Sequence, residues 1–294
     1  MLEFQPSGFG KKLVETSLGS MVYYSQTSVP WDISQVESLP KIVFLHNFGG
    51  GASAYEWSKV YPAFASNYHI LAPDLIGWGN SAHPMKSYQI NDYITNIREF
   101  IQKTCSSPVI LVASSLTAAL AIRIAIQYPE LFQRLFLVCP SGFNDFGENA
   151  GRRLPLEIIN TPVLEDLIYF VGAENEISVR NFLESFLFVN RQKVSQEIVQ
   201  AYLSSAQKPN AKYAALAFLR GDLYFDLSLY ISQLSISTIF FWGEKAQFTK
   251  SQLGERLAKL NRNAIEKFYS IEDAGILPHL ETPEVIIGLM QKHL

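Results

Sequence analysis

Short unbroken apolar runs alternate along this chain with longer stretches in which apolar residues recur every three or four positions. The runs KIVFLH (41–46), YHILAPD (68–74), VILVA (109–113), LFLVC (135–139), STIFFW (237–242) and 264–270 are of strand length. Several are apolar at consecutive positions, as expected for strands covered on both faces of a parallel sheet. Between them, 55–64, 91–104, 116–127 and 251–260 read as helices; in the second, Tyr93, Ile94, Ile97, Phe100 and Ile101 keep helical spacing. This alternation predicts successive βαβ units. Ahead of it, 12–16 and 21–26 flank a Leu-Gly-Ser turn and predict an antiparallel hairpin, and the polar, proline-bearing stretch 27–40 is a connection.

From 143 to about 220 the strand-like runs stop, and helical periodicity takes over through VLEDLIYFV, VRNFLESFLF, VSQEIVQAYL and AALAFL. The expectation is an α/β fold with a mostly parallel central sheet, an N-terminal antiparallel hairpin and an inserted helical cap. Residues 1–142 and 221–294 would form the core, and 143–220 the cap. Thr282-Pro283-Glu284 opens the last helix, with Thr282 as N-cap and proline in the first turn.

Composition narrows the functional classes. A length of 294 residues allows one α/β core with an insertion, and 48% hydrophobic against 17% charged residues excludes a disordered chain. Twenty-four basic against 27 acidic side chains leave a formal charge of -3, so no strong positive field exists to hold a nucleic acid. Cys105 and Cys139 are too few for a disulfide framework and lie outside metal-ligand spacing. A cytoplasmic protein without metal or cofactor is expected. The N-terminus has no apolar stretch behind a basic start, and the apolar segment 108–122 is short and carries Ser114, Ser115 and Thr117. Neither a secretory signal nor integral membrane association is therefore expected.

Three places carry candidate chemistry. In Ala113-Ser114-Ser115-Leu116-Thr117 a buried strand turns into a helix, which would push the Ser115 hydroxyl above the sheet and aim the Leu116 N–H at an incoming oxyanion. The loop His46-Asn47-Phe48-Gly49-Gly50-Gly51 follows the first parallel strand and offers the Phe48 N–H toward the same point. Asp74-Leu75-Ile76-Gly77-Trp78-Gly79-Asn80-Ser81 is a compact turn after the next strand. In this order they resemble the α/β-hydrolase family, in its esterase and epoxide-hydrolase-like branch with a helical cap. That family carries a His-Gly pair after a strand, an Asp-x-x-Gly-x-Gly-x-Ser turn and a Gly-x-Ser-x-Gly elbow.

The resemblance implies a serine nucleophile at Ser115 and an oxyanion site at Phe48 and Leu116, with His46, Asn47, Ser114 and Trp57 beside a ligand. The chain departs from the pattern where the acid and histidine belong: those positions are Ala246 and Ile276. The elbow glycines are Ala113 and Thr117, and His-Gly is His46-Asn47. A serine hydroxyl is a weak nucleophile until a base takes its proton, and isoleucine takes none. Two readings follow. In the first, the usual hydrolysis is lost or severely weakened, and a cleft between core and cap, lined by such aromatics as Trp57, Tyr169 and Phe170, binds a small apolar molecule, an ester or acyl compound, or a protein partner. In the second, Ser115 works as an ester hydrolase with a relocated base, His279, and a relocated acid, Asp145; Glu244 is a weaker acid candidate. His69, His83 and His293 have structural readings. A non-hydrolytic, cofactor-free reaction on the same oxyanion site is a third reading. A dinucleotide fingerprint, Gly49-x-Gly51-x-x-Ala54 with Asp74 on the next strand, competes in outline.

Overall fold

The computed structural model describes residues 4–148, 169 and 174–294. Its centre is an eight-stranded sheet of order β1-β2-β4-β3-β5-β6-β7-β8. The hairpin β1 (Phe9–Thr16) and β2 (Gly19–Gln26) is antiparallel, and β2 joins β4 (His69–Pro73) antiparallel. From β4 onward the sheet is parallel through β3 (Lys41–Leu45), β5 (Val109–Ser114), β6 (Phe132–Val138), β7 (Thr238–Gly243) and β8 (Ile265–Ile271). Every residue of β3, β4, β5 and β7 is buried, as their continuous apolar runs require.

Helices α1 (Ile90–Thr104), α2 (Ser115–Gln127), α6 (Ser251–Lys259) and α8 (Pro283–Gln291) cover the sheet. Between β6 and β7 the described chain contains α3 (Glu176–Phe182), which runs into a π-helical turn at Leu183–Leu187, then α4 (Gln196–Ala206) and α5 (Ala211–Arg220). Of the expected helix VLEDLIYFV only Tyr169 is described; the remainder, including Phe170, lies outside the described residues.

Two local expectations are corrected. Residues 55–64 form no α-helix but two 3-10 turns, Ala54–Trp57 and Tyr61–Phe64, because Pro62 supplies no N–H to continue the first turn into the second. Thr282 does begin α8, after the single turn α7 (Pro278–Glu281), but its hydroxyl donates back to the Pro278 carbonyl at 3.1 Å instead of capping the new helix.

Candidate active site

At the end of β5 the backbone turns into α2 through Ser115, whose φ of 55° is left-handed. A side chain other than glycine holds that conformation at a cost of about 1–3 kcal/mol, so the surrounding packing imposes it. Ala113 and Thr117, at the elbow's glycine positions, are both fully buried. The sharp turn is kept without glycine. Ser115 itself is 5% exposed, and no hydrogen bond engages its hydroxyl among the described residues. Its neighbour Ser114 is sealed, with Oγ unpartnered among the described residues, as is Thr117 Oγ1. Leu116 is the second residue of α2, so its N–H has no acceptor within the helix.

The loop after β3 is held from three sides. His46 is fully buried, its Nδ1 2.7 Å from the Asn47 carbonyl, while its Nε2 accepts the Leu75 N–H at 2.9 Å. Those contacts fix the Nδ1–H tautomer, and burial lowers the imidazole pKa to about 4. Asn47 accepts the Gly49 N–H on its own Oδ1, and its backbone N–H donates to Glu56 Oε2 at 2.9 Å. The Phe48 ring packs edge-on against Tyr93 with centroids 4.5 Å apart, and its N–H has no acceptor among the described residues. Gly51, at φ 83°, lies against α4: a Cβ there would come 2.3 Å from the Tyr202 carbonyl oxygen. Tyr202 OH donates to Glu56 Oε1 at 2.6 Å, and Ser205 Oγ donates to the Ala52 carbonyl at 3.0 Å.

Glu56 is the residue that sequence reasoning passed over. It is fully buried, and burial raises its pKa to about 7 against the pull of its two donors, Asn47 N–H and Tyr202 OH. The available signal was a carboxylate between two large aromatics, Tyr55 and Trp57, in a segment expected to be buried.

The base and acid candidates are all described, and no hydrogen bonds link them into a relay. His279 is fully buried in α7 and stacks on Trp57 with ring centroids 4.0 Å apart and planes 16° from parallel. Neither of its nitrogens has a hydrogen-bond partner among the described residues, so it is bonded to neither Ser115 nor Asp145, and burial lowers its pKa to about 3. Trp57 is itself sealed, its indole N–H donating to the Leu45 carbonyl at 2.9 Å. Asp145 accepts Ser141 Oγ–H at 2.6 Å, Leu227 N–H at 2.8 Å and Gly142 N–H at 3.1 Å; these donors offset part of the upward pull of burial on its pKa. It fastens the start of the β6–β7 connection to the chain that returns from it. Glu244 is exposed, His83 Nε2 meets the Gly79 carbonyl at 3.1 Å, and His293 Nε2 meets Tyr269 OH at 2.7 Å. Tyr169 is buried and donates its hydroxyl to the Ala206 carbonyl at 2.8 Å.

The loops after β7 and β8 do lie side by side. Lys245 N–H donates to the Ala274 carbonyl at 3.0 Å, and a Cβ on Gly243 would come 1.7 Å from the Gly275 carbonyl oxygen. Ala246 and Ile276 are buried in these loops at 4% and 3% exposure. Glu281 holds the second loop under the π-helical turn: its Oε2 accepts the Gly275 N–H, and its Oε1 accepts Val189 N–H at 2.7 Å and Asn190 N–H at 3.2 Å.

The dinucleotide fingerprint does not match this geometry. The glycines lead into a 3-10 turn, Ala54–Trp57, rather than a helix with a free anion site, and both Asp74 oxygens are engaged, by Ala54 N–H at 2.8 Å and Asn80 N–H at 2.8 Å. Among the described residues no group of three or more metal-type side chains gathers, and no helix is long and apolar enough to cross a membrane.

Comparison with known proteins agrees with the architecture. The sequence profile of the alpha/beta hydrolase family matches residues 42–289. The uncharacterized hydrolase YugF of Bacillus subtilis is 26% identical over 254 residues, covering 83% of this chain and 86% of that protein. A haloalkane dehalogenase of Bradyrhizobium diazoefficiens is 26% identical over 272 residues, 82% of this chain and 81% of its own. Among solved structures, a serine hydrolase involved in carbazole degradation superposes with a TM-score of 0.75 at 17% identity, covering 97% of this chain and 98% of that one. At that identity the likeness speaks for the fold alone.

Proposed function

Because this chain belongs to the alpha/beta hydrolase family, we propose that it keeps the family's elbow and oxyanion donors but binds a small apolar ester or acyl compound instead of hydrolysing it at the family's usual speed. Residues 1–142 and 221–294 form the core in this reading, 143–220 the cap, and the ligand lies between them. Ser115 Oγ and the N–H groups of Phe48 and Leu116 face the ligand's carbonyl, while His46, Asn47, Ser114 and Trp57 support the loop and the elbow from behind.

The observation that carries the reading is the isolation of His279. Its ring is stacked on Trp57 with both nitrogens unpartnered among the described residues, and the Asp145 carboxylate is engaged by three other residues. Ser115 therefore has no imidazole at hydrogen-bond distance. In a serine protease, removing the base costs about 10⁶ in turnover, and what remains comes from the oxyanion site and binding. Binding to an oxyanion site survives such a loss; rapid turnover does not.

A fluorophosphonate probe tests this. Under conditions that saturate a working esterase, the expected result is little or no labelling, together with reversible competition by a non-hydrolysable ester analogue. Stoichiometric labelling that vanishes in Ser115→Ala would overturn the proposal and return the relocated base to contention.

A further inference from the structure

The peptide that offers the Phe48 N–H is held through the polar atoms around it. Its carbonyl oxygen, from Asn47, lies 2.7 Å from His46 Nδ1. The Asn47 N–H before it donates to Glu56 Oε2 at 2.9 Å, and the Gly49 N–H after it donates to Asn47 Oδ1. Of these consecutive amides, Phe48 alone has no acceptor among the described residues. A donor serves an oxyanion site only if it points at the place where charge gathers, so the plane of this peptide is what has to be fixed.

Glu56 carries that constraint to α4. Its Oε1 accepts the Tyr202 hydroxyl at 2.6 Å, and both residues are buried. The neighbouring pair makes the reciprocal bond: Tyr55 OH, from the same turn, donates to Glu197 Oε1 of α4 at 3.0 Å, with Glu197 exposed. Two phenol–carboxylate bonds therefore join the turn Ala54–Trp57 to α4, and the inner one, on the carboxyl that also holds the Asn47 amide, is shielded from water and so the stronger. We infer that Tyr202 and Glu56 are positioning residues for the oxyanion donor: α4 orients the Phe48 N–H through the Glu56 carboxyl. The inference rests on the reading that this N–H faces a ligand carbonyl, and it gives neither side chain a contact with the ligand.

The pair Asn-Phe occurs in this chain at 47–48 and 181–182 alone. Isotopic labelling of the asparagine carbonyl carbon and the phenylalanine nitrogen in the full chain therefore isolates two amide resonances, Phe48 and, as a control in α3, Phe182. Tyr202→Phe keeps the ring and removes the hydroxyl. It should move the Phe48 resonance, leave Phe182 in place, and weaken saturable binding of acetophenone, a ketone that cannot be hydrolysed, by about threefold or more. Glu56→Leu should act in the same way, whereas Glu56→Gln, whose amide can accept from Asn47 and donate to Tyr202, should return both readings toward the parent's. In the Glu56→Leu background Tyr202→Phe should add nothing, because the route is already cut. Glu197→Ala removes the outer bond and should leave both readings unchanged. An unmoved Phe48 resonance in Tyr202→Phe, a full further shift in the Glu56→Leu background, or an equal shift in Glu197→Ala would each overturn the inference. Should Glu56→Leu not fold, seen as loss of the Phe182 resonance, Tyr202→Phe against Glu197→Ala decides. If acetophenone does not bind the parent, the ligand reading falls by itself, and the resonances still decide the positioning.

Discussion

Two hydroxyls at opposite ends of the same sheet divide the requirements of nucleophilic catalysis between them. At the carboxyl end of β5, Ser115 has the left-handed backbone and the neighbouring helix N-terminus, yet no imidazole bonds to it. At the other end, where β4 begins, Ser25 Oγ lies 2.9 Å from His69 Nε2, and His69 Nδ1 lies 3.6 Å from Glu37 Oε2. That row has the residue types of a serine relay in order, although only the Ser25–His69 contact is a hydrogen bond and His69 Nδ1 has no hydrogen-bond partner among the described residues. It has no elbow, and Ser25 is fully buried in the ordinary extended backbone of β2. Burial also lowers the His69 pKa to about 4, against the opposing influence of Glu37. In open α/β sheets, ligands meet the carboxyl ends of the strands, where loops fan out above the sheet. A serine–histidine hydrogen bond without presentation engages buried polar atoms, and presentation without a relay is what the proposed binding reading of Ser115 uses.

The comparison breaks most visibly if the missing contact can be restored. Lys245 N–H to the Ala274 carbonyl holds the β7 and β8 loops together, so Ile276→His with Ala246→Asp places an imidazole and a carboxylate on adjoining segments. The double variant is expected to hydrolyse p-nitrophenyl acetate about 10²–10⁴-fold faster than the parent, with the gain lost on adding Ser115→Ala. No gain in a folded double variant would mean that the elbow itself, with Ala113 and Thr117 in place of glycines, no longer presents the hydroxyl.

The opposite end is sharpened by Ser25→Ala. It leaves His69 Nε2 buried without its partner and should cost about 1–3 kcal/mol of stability in denaturant melts. Ligand competition and probe labelling at Ser115 should not change. A change there would make the lower row part of the functional site and remove the contrast.

His279 gives a test of similar size and opposite sign. If its imidazole is only a core ring, His279→Phe keeps the stack on Trp57 and removes two unpartnered nitrogens, which should stabilise the fold by about 1–3 kcal/mol. Binding at the elbow should be unaffected. Loss of an esterase activity on this change would identify it as the base.

Much of this contrast was legible in the sequence, and the failures have physical causes. The apolar runs at 41–46, 109–113 and 237–242 gave strands because a sheet covered on both faces leaves no polar alternation to confuse them. The elbow was legible because few other places turn a buried strand directly into a helix. Spacing could put His279 one turn past Ile276, but not say that its ring turns down onto Trp57; side-chain direction depends on what packs beneath. Asp145 was legible as a candidate acid, whereas its actual partners, Ser141 nearby and Leu227 from the returning chain, depend on how the chain folds back. The Ser25–His69–Glu37 row was invisible because its members come from three separate segments with no shared motif.

The smallest expected effect concerns Glu56, which links the loop after β3 to α4. Its carboxyl titrates near 7 in the folded chain, above its ordinary value of 4.5, because burial penalises the charge. Between those values the folded state holds a proton that the unfolded state has released, so this group makes stability fall as pH rises from about 4.5 to about 7, with no further change above. His279 acts in the other direction: its folded pKa of about 3 lies below the ordinary 6.5, so it removes stability as pH falls through that interval. The two can be separated by difference. Glu56→Gln can still accept the Asn47 N–H through its amide oxygen, and should flatten the decline toward neutral pH relative to the parent. His279→Phe should flatten the loss toward acid. If the Glu56→Gln melts run parallel to the parent's from pH 4.5 to 7, the carboxyl is not held protonated, and the loop and α4 are joined there by an ordinary charged hydrogen bond.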